Sequence, residues 1–265
     1  MNKKAAIFHW ILFGFLIALG VFLLVAFKSD FKLTPHGQWQ ADFLTNHYFA
    51  AEKDLLQIDQ TAKQSVWDAV LRLSNTSGFS GSIPCGQVQE SPINNYVLWN
   101  DQNKKCLPQI EKEFLKEVEK NLKKRLPERK YSNLKLKKNI FAAQGDKEKK
   151  KSQSSAQYYV QYTYDTSFNL NLGFDLVKEY NQLGEEAVKL VRACQKKSNL
   201  ESCIKKYNKK NQQHWKLKTC DQEKFFSQGR KVVFCVESPT KIKVYNRIKQ
   251  LTSIRHKIAL DFTKT

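Results

Sequence analysis

Six cysteines, Cys85, Cys106, Cys194, Cys203, Cys220 and Cys235, are the residues whose chemistry most constrains this 265-residue chain. None stands in a C-x-x-C pair and no histidine lies at zinc-knuckle spacing, so their arrangement argues against a metal site. An even number of cysteines suits disulfides formed in an oxidising compartment. Six cysteines allow fifteen connectivities. The preferred set joins neighbours: Cys85–Cys106, Cys194–Cys203 and Cys220–Cys235. Each pair would close a short polar segment with too few apolar residues to hold itself, and the last would staple a hairpin across its two strands. The competing reading is six reduced, partly buried thiols in a cytosolic domain.

The second chemical signal is charge. Forty-five Lys and Arg against 25 Asp and Glu give a net charge of +20. The excess is uneven: residues 1–101 carry net −1, residues 102–151 +10, residues 189–218 +9 and residues 230–265 +7. Three lysine groups stand out as candidate polyanion-binding residues. They are Lys149, Lys150 and Lys151; Lys196 and Lys197; and Lys205, Lys206, Lys209 and Lys210. On a folded surface they could hold nucleic acid, an anionic envelope polymer or phospholipid head groups. Lysine far outnumbers arginine, which disfavours bidentate base or phosphate readout. The plain alternative is a solvated lysine-rich surface. Tyr158, Tyr159, Tyr162 and Tyr164 could stack bases, although a strand would turn half of them into the core.

Signatures of catalysis are missing. No G-x-x-x-x-G-K-[ST], G-x-G-x-x-G, H-E-x-x-H or G-x-S-x-G occurs. The histidines (His9, His36, His47, His214 and His256) are scattered, and His47 and Glu52 do not share a helical face. Acid pairs such as Asp54/Asp59 and Glu185/Glu186 are ordinary in any soluble domain. A cysteine nucleophile with His214 or His256 has no local signature. The sequence therefore assigns no catalytic residue, no metal and no cofactor, and an enzyme is the less favoured class.

These residues must be positioned by the following elements. Ala5–Phe27 is 23 residues without a formal charge, about 34 Å as a helix and enough to cross a bilayer core of about 30 Å. Its length exceeds the apolar region of a cleaved signal. The expected organisation is a cytoplasmic stretch over 1–4, a transmembrane anchor over 5–27, a linker over 28–37 and an extracytoplasmic domain over 38–265. Trp39, Phe43, Tyr48, Leu55, Ile58, Ala62, Val66, Ala69 and Leu73 recur at helical spacing and predict a long amphipathic helix over 38–73. Its apolar face would serve a core or, in the minority reading, a homo-oligomer. Asn75-Thr76-Ser77 matches a glycosylation acceptor at Asn75. Residues 75–108 read as a long stapled loop. A second amphipathic helix follows from Pro108 to Leu126, acidic early and basic late as the helix dipole favours.

Alternation then predicts a strand over 131–141, a charged turn over 145–155 and a long strand or hairpin over 158–172. Helices follow at Leu176–Cys194 and about 200–209, and strands at 214–220, 231–237, 242–245 and 257–262. The expected fold class is α+β: an N-terminal transmembrane helix and a long amphipathic helix, then mixed antiparallel strands and helices stapled by disulfides.

His36-Gly37-Gln38-Trp39-Gln40 and the run Ala51 to Lys63 resemble a motif of uncharacterised single-span archaeal envelope proteins. Trp215, the strand Phe234 to Ser238 and the ending Ala259 to Phe262 are similar to features of the same group. The resemblance implies a single-pass membrane protein with its C-terminal domain outside, and brings no activity or site residues. Lys4-Ala5-Ala6 is similar to a type IV pilin-like processing site. The function expected is a membrane-anchored envelope protein with a structural or binding role. Its partners would be the lipid bilayer and other envelope proteins or anionic surface polymers. A pilin-like filament subunit is the alternative and an anchored hydrolase the third class.

Overall fold

The computed structural model describes residues 14–21, 41–81, 83, 85–91, 94–101, 104–155, 158–211, 215–216, 225–245 and 249–263. In chain order the first elements are α1 (Phe49–Asn75), β1 (Gln87–Ser91), β2 (Asn94–Val97), β3 (Asn100–Asp101), β4 (Lys104–Lys105) and α2 (Ile110–Arg125). Next come β5 (Ser132–Lys137), β6 (Ile140–Gln144), β7 (Lys147–Ser155), β8 (Tyr158–Asp165), β9 (Phe168–Asn171), α3 (Leu176–Cys194) and α4 (Leu200–Asn211). Last are β10 (Trp215–Lys216), β11 (Ser227–Gln228), β12 (Lys231–Tyr245) and β13 (Lys249–Asp261). The fold is α+β. The chain divides into two compact units, residues 1–54 with 148–164, and residues 55–147 with 165–265.

The transmembrane helix expected over 5–27 is not supported by the described residues. Of residues 5–27 the described ones, 14–21, are helical. Among the described residues no helix is long and apolar enough to cross a membrane. The rest of that segment and the linker 28–37 lie outside the described residues, as does Trp39. In the helix expected from residue 38, residues 41–42 are helical and Phe43–Tyr48 form a π-helical turn that feeds α1.

The charged turn expected over 145–155 is the strand β7, paired with β8. A ladder is made by backbone groups, so a run of lysines does not prevent it. Tyr162 and Tyr164, two residues apart on β8, share a face and stack at 6.0 Å. Their hydroxyls donate to Glu52 (3.1 Å) and Asp54 (2.7 Å), and Tyr48 meets Tyr162 edge-on at 5.4 Å. Rings tied to carboxylates in this way are poor base-stacking platforms. Tyr158 and Tyr159 belong to β8 in backbone only; their side chains lie outside the described residues.

The second unit is built around β12. Val232, Val233, Phe234, Cys235 and Val236 are all buried, a continuous apolar run such as a strand covered on both faces requires. Val232, Phe234 and Val236 enter the main core, with Ile254, Ile258 and Leu260 of the antiparallel β13. Val233 and Ala259 point to the opposite face, where Val88, Tyr96 and Leu98 cover them. That contact corrects the reading of 75–108 as a loop. The segment folds as two hairpins, β1–β2 and β3–β4, because Tyr96 and Leu98 have an apolar face to land on. Trp99 N–H donates to the Ala259 carbonyl at 3.0 Å, and the Cys85–Cys106 disulfide closes the segment.

Helices α1, α2 and α3 cover the main core. The stripe Ala62, Val66, Ala69, Val70 and Leu73 of α1 is packed into it. Arg72 reaches the buried Glu117 of α2 at 2.8 Å, and Asn121 donates to the Ser65 carbonyl at 3.0 Å. β5, β6 and β9 form a three-stranded sheet, so the single strand expected over 131–141 is two strands, turning after Lys137. The strands expected at 231–237 and 242–245 are one long strand with a register shift between Glu237 and Lys241.

A left-handed turn ends α1. Ser77 (φ +57°) is followed by Gly78, whose N–H donates to the Leu73 carbonyl at 2.7 Å, the pattern that closes orphan carbonyls at a helix C-terminus. Gly78 has φ +89°, and a Cβ there would lie 2.5 Å from Pro108 and 2.9 Å from Tyr180; only glycine fits. The turn buries Ser77, which then ties three elements together. Its hydroxyl donates to the Lys257 carbonyl of β13 and accepts from Val97 N–H (3.3 Å), and its carbonyl accepts from Trp99 Nε1 (3.1 Å).

Just beyond, Ser80 donates through its amide (2.9 Å) and its hydroxyl to Glu113 of α2. Burial raises the Glu113 carboxyl. The two Ser80 bonds, with Lys116 and Lys112 nearby, outweigh burial and hold its pKa below the ordinary value of 4.5. The stability this contact supplies is complete above the unfolded-state value and is lost as pH falls through the lowered folded value. Glu113→Gln should therefore cost stability at neutral pH, and the gap to the parent should close in denaturant titrations taken below about pH 4.5. The double variant Cys85→Ser/Cys106→Ser should lose about 3 kcal/mol in the same measurement, since the bridge closes a separation of 21 residues.

Candidate functional site

The α3–α4 hairpin carries the densest group of the candidate lysines. Asp175 opens α3 by accepting from Lys178 N–H at 2.9 Å, a side-chain N-cap. Leu176, Tyr180, Gly184, Ala187, Leu190 and Cys194 then form its buried stripe. Asn199 caps α4 through Ser202 N–H at 2.9 Å. Leu200 and Ile204 are the buried residues of α4, with Cys203 and Tyr207 packed beside them. The Cys194–Cys203 disulfide crosses from the end of α3 to α4, and Tyr207 donates to Glu186 of α3 at 3.3 Å.

With 200, 203, 204 and 207 turned inward, helical spacing sends 205, 206, 209 and 210 outward. Lys196, Lys197, Lys205, Lys206, Lys209 and Lys210 are all exposed. Glu201 pairs with Lys205 at 2.6 Å. Among the described residues, no carboxylate pairs with Lys196, Lys197, Lys206, Lys209 or Lys210. Six of the nine candidate lysines therefore share one clamped hairpin. Lys149, Lys150 and Lys151 lie on β7 in the other compact unit.

Arg230, which sequence reasoning passed over, anchors the hairpin's turn. Its guanidinium donates to the carbonyls of Gln195 (2.6 Å) and Phe262 (2.7 Å), and more weakly to Lys197 (3.3 Å). A cation at the carbonyl of Gln195, the C-cap of α3, also complements the negative end of the helix dipole. The sequence cue was slight: an arginine beside a glycine turn, ahead of a strand.

The remaining candidates separate. Cys235 is disulfide-bonded, to a partner outside the described residues, and no described cysteine is free. That removes the described cysteines as nucleophiles. Asn75 is exposed at the end of α1, while the hydroxyl of Ser77 in its acceptor triplet is buried and engaged. His256 sits in the core-facing row of β13 between Ile254 and Ile258, 2% exposed, with Nε2 at 2.9 Å from the Glu179 carboxylate. Tyr180 meets it edge-on at 4.8 Å. Burial first, and Glu179 second, push the Tyr180 hydroxyl far above the usual range. Its hydroxyl and His256 Nδ1 find no partner among the described residues. A group so enclosed reaches no substrate, and the cluster reads as core. Among the described residues no three His, Cys, Asp or Glu converge as a metal-ligand set.

No protein-family model, curated protein or solved structure matches this chain. The geometry of the site is thus the only guide to its use. If Arg230 holds the hairpin turn, Arg230→Met should cost about 2 kcal/mol in chemical denaturation, the scale of losing charge-assisted bonds to partly buried carbonyls.

Proposed function

We propose that this chain is a disulfide-stapled binding protein of an oxidising, extracytoplasmic compartment that holds an anionic polymer on the α3–α4 lysine surface. One observation carries the reading: six exposed lysines stand on a single hairpin clamped by Cys194–Cys203, with Glu201 on α4 bound to Lys205 alone. Clamping matters because the turn of the hairpin is fixed before any ligand arrives, which reduces the ordering cost of binding. The disulfides support the compartment, since such bonds persist where thiols are not kept reduced.

Lysines act here as point charges on flexible stems. They favour a repeating phosphate, sulfate or carboxylate polymer over a ligand read by bidentate geometry. Affinity should come largely from release of condensed counterions. Binding of the full chain to inorganic polyphosphate and to heparin should therefore weaken linearly in logarithmic salt concentration. Lys206→Glu/Lys209→Glu/Lys210→Glu should lower affinity at least about tenfold near 0.1 M salt and flatten the slope. A salt-independent affinity, or an unchanged slope in the triple variant with its thermal melt intact, would refute the reading.

A further inference from the structure

A groove of about 410 Å³ lies between α1 and β9. Its volume falls within the range of small-molecule sites, roughly 300–1,000 Å³. Asp59, Lys63 and Trp67, on successive turns of α1, form one wall, and Asn169, Leu170 and Asn171 of β9 the other. Trp67 is half-buried and packs against Phe174 in an offset stack, the rings nearly parallel (15°) at 6.3 Å. Its indole therefore presents a fixed apolar plate.

The polar groups around that plate are also preset. Asn171 Oδ1 accepts from Asn139 Nδ2 (3.0 Å) and from Gly173 N–H (2.8 Å). These two bonds fix the amide and leave its Nδ2 donors without a partner among the described residues. The Asn169 amide and Trp67 Nε1 are likewise unpartnered there. β9 pairs with β6 on one edge. Leu172 N–H is spent on Asn139 at 2.7 Å, so alternation turns the backbone N–H and C=O of Asn169 and Asn171 to the other edge. Lys63 and Asp59 neutralise one another at 2.5 Å.

We propose that this groove is a subsite for a neutral saccharide. A sugar ring offers an apolar C–H face to the indole and a rim of hydroxyls that both donate and accept. The groove supplies the matching plate, amide donors, carbonyls and carboxylate, and its ion pair leaves no net charge to attract an anion. A purely apolar ligand would strand the unpartnered amides. The site is separate in residues and in chemistry from the lysine surface. Its binding should be insensitive to salt, so the two readings fail independently.

The test is titration of the isotope-labelled full chain with short neutral cello-, manno- and chito-oligosaccharides. The Trp67 indole N–H resonance, assigned by its absence in Trp67→Phe, should shift on binding. Asn171→Asp keeps the acceptor that Asn139 and Gly173 use and replaces the donor, and Asn169→Ala removes an exposed amide. Each should weaken binding about tenfold with unchanged thermal melts, as loss of one or two hydrogen bonds to a ligand implies. No shift of that resonance with any oligosaccharide would overturn the proposal. Affinities unchanged in both asparagine variants would do the same, as would a shift induced only by short peptides.

Discussion

Burial of β12 on both faces is the constraint that organises the larger unit. A strand with one wet face alternates, and one helix or sheet can cover it. Val232 to Val236 leave no wet face, so two separate sets of elements must be supplied. The helices α1, α2 and α3 cover the even-numbered side. The odd-numbered side falls to the β1–β2 hairpin, whose strands are too short to be stable alone. Removing that hairpin would expose Val233 and Ala259, and removing the odd-numbered apolar residues would leave the hairpin with nothing to pack on. The two features are thus coupled through one strand.

Short elements attached to a long one need help at their ends, and the molecule supplies it in two forms. One is covalent: Cys85–Cys106 closes the hairpin segment and Cys194–Cys203 closes the α3–α4 turn. The other is a set of buried polar contacts at chain reversals. Ser77 uses its hydroxyl and its carbonyl together, so the end of α1, β2, Trp99 and β13 meet at a single left-handed residue. Arg230 does the same at the end of α3, joining the Gln195 carbonyl of the turn to the Phe262 carbonyl that follows β13. In each case a turn that would otherwise leave buried backbone groups unsatisfied is completed by one side chain.

What was legible in the sequence follows from this division. Helices α2, α3 and α4 announced themselves because each has one apolar stripe, with Pro108 marking the start of α2. The two described cysteine pairs were readable because each joins neighbours across a polar segment. Less legible were features decided by contacts distant in sequence. Residues 85–105 carry turn-forming residues throughout, and their strands exist because Val233 and Ala259 wait more than a hundred residues later. β7 is almost wholly charged or polar, so no periodicity of apolar residues marks it. The apolar stretch at 5–27 suggests a span because hydropathy reports composition, whereas among the described residues no helix is long and apolar enough to cross a membrane. The lysine group was visible as composition but not as a surface. That required knowing which residues of α4 turn inward. His256 offered a similar trap, for a histidine in a period-two apolar row is first a core residue.

The two binding surfaces inferred here rest on opposite physics, and the difference explains why composition pointed to one and not the other. Charges act over roughly a Debye length, about 8–10 Å at physiological salt, so their placement can be loose and their number decides the effect. Number is what a count of residues reports. A neutral hydroxyl-rich ligand exerts no such reach and is held only by groups already in position, because a mobile amide would lose in ordering what it gains in contact. Position, not abundance, is what matters there. It comes from details with no compositional trace: Phe174 stacked in offset on Trp67, and the two donors that lock Asn171. A surface of the first kind draws many anionic polymers with little discrimination, and a groove of the second kind discriminates but cannot attract from a distance. A protein that carries both kinds can concentrate near a charged matrix by the first and select a component of it by the second.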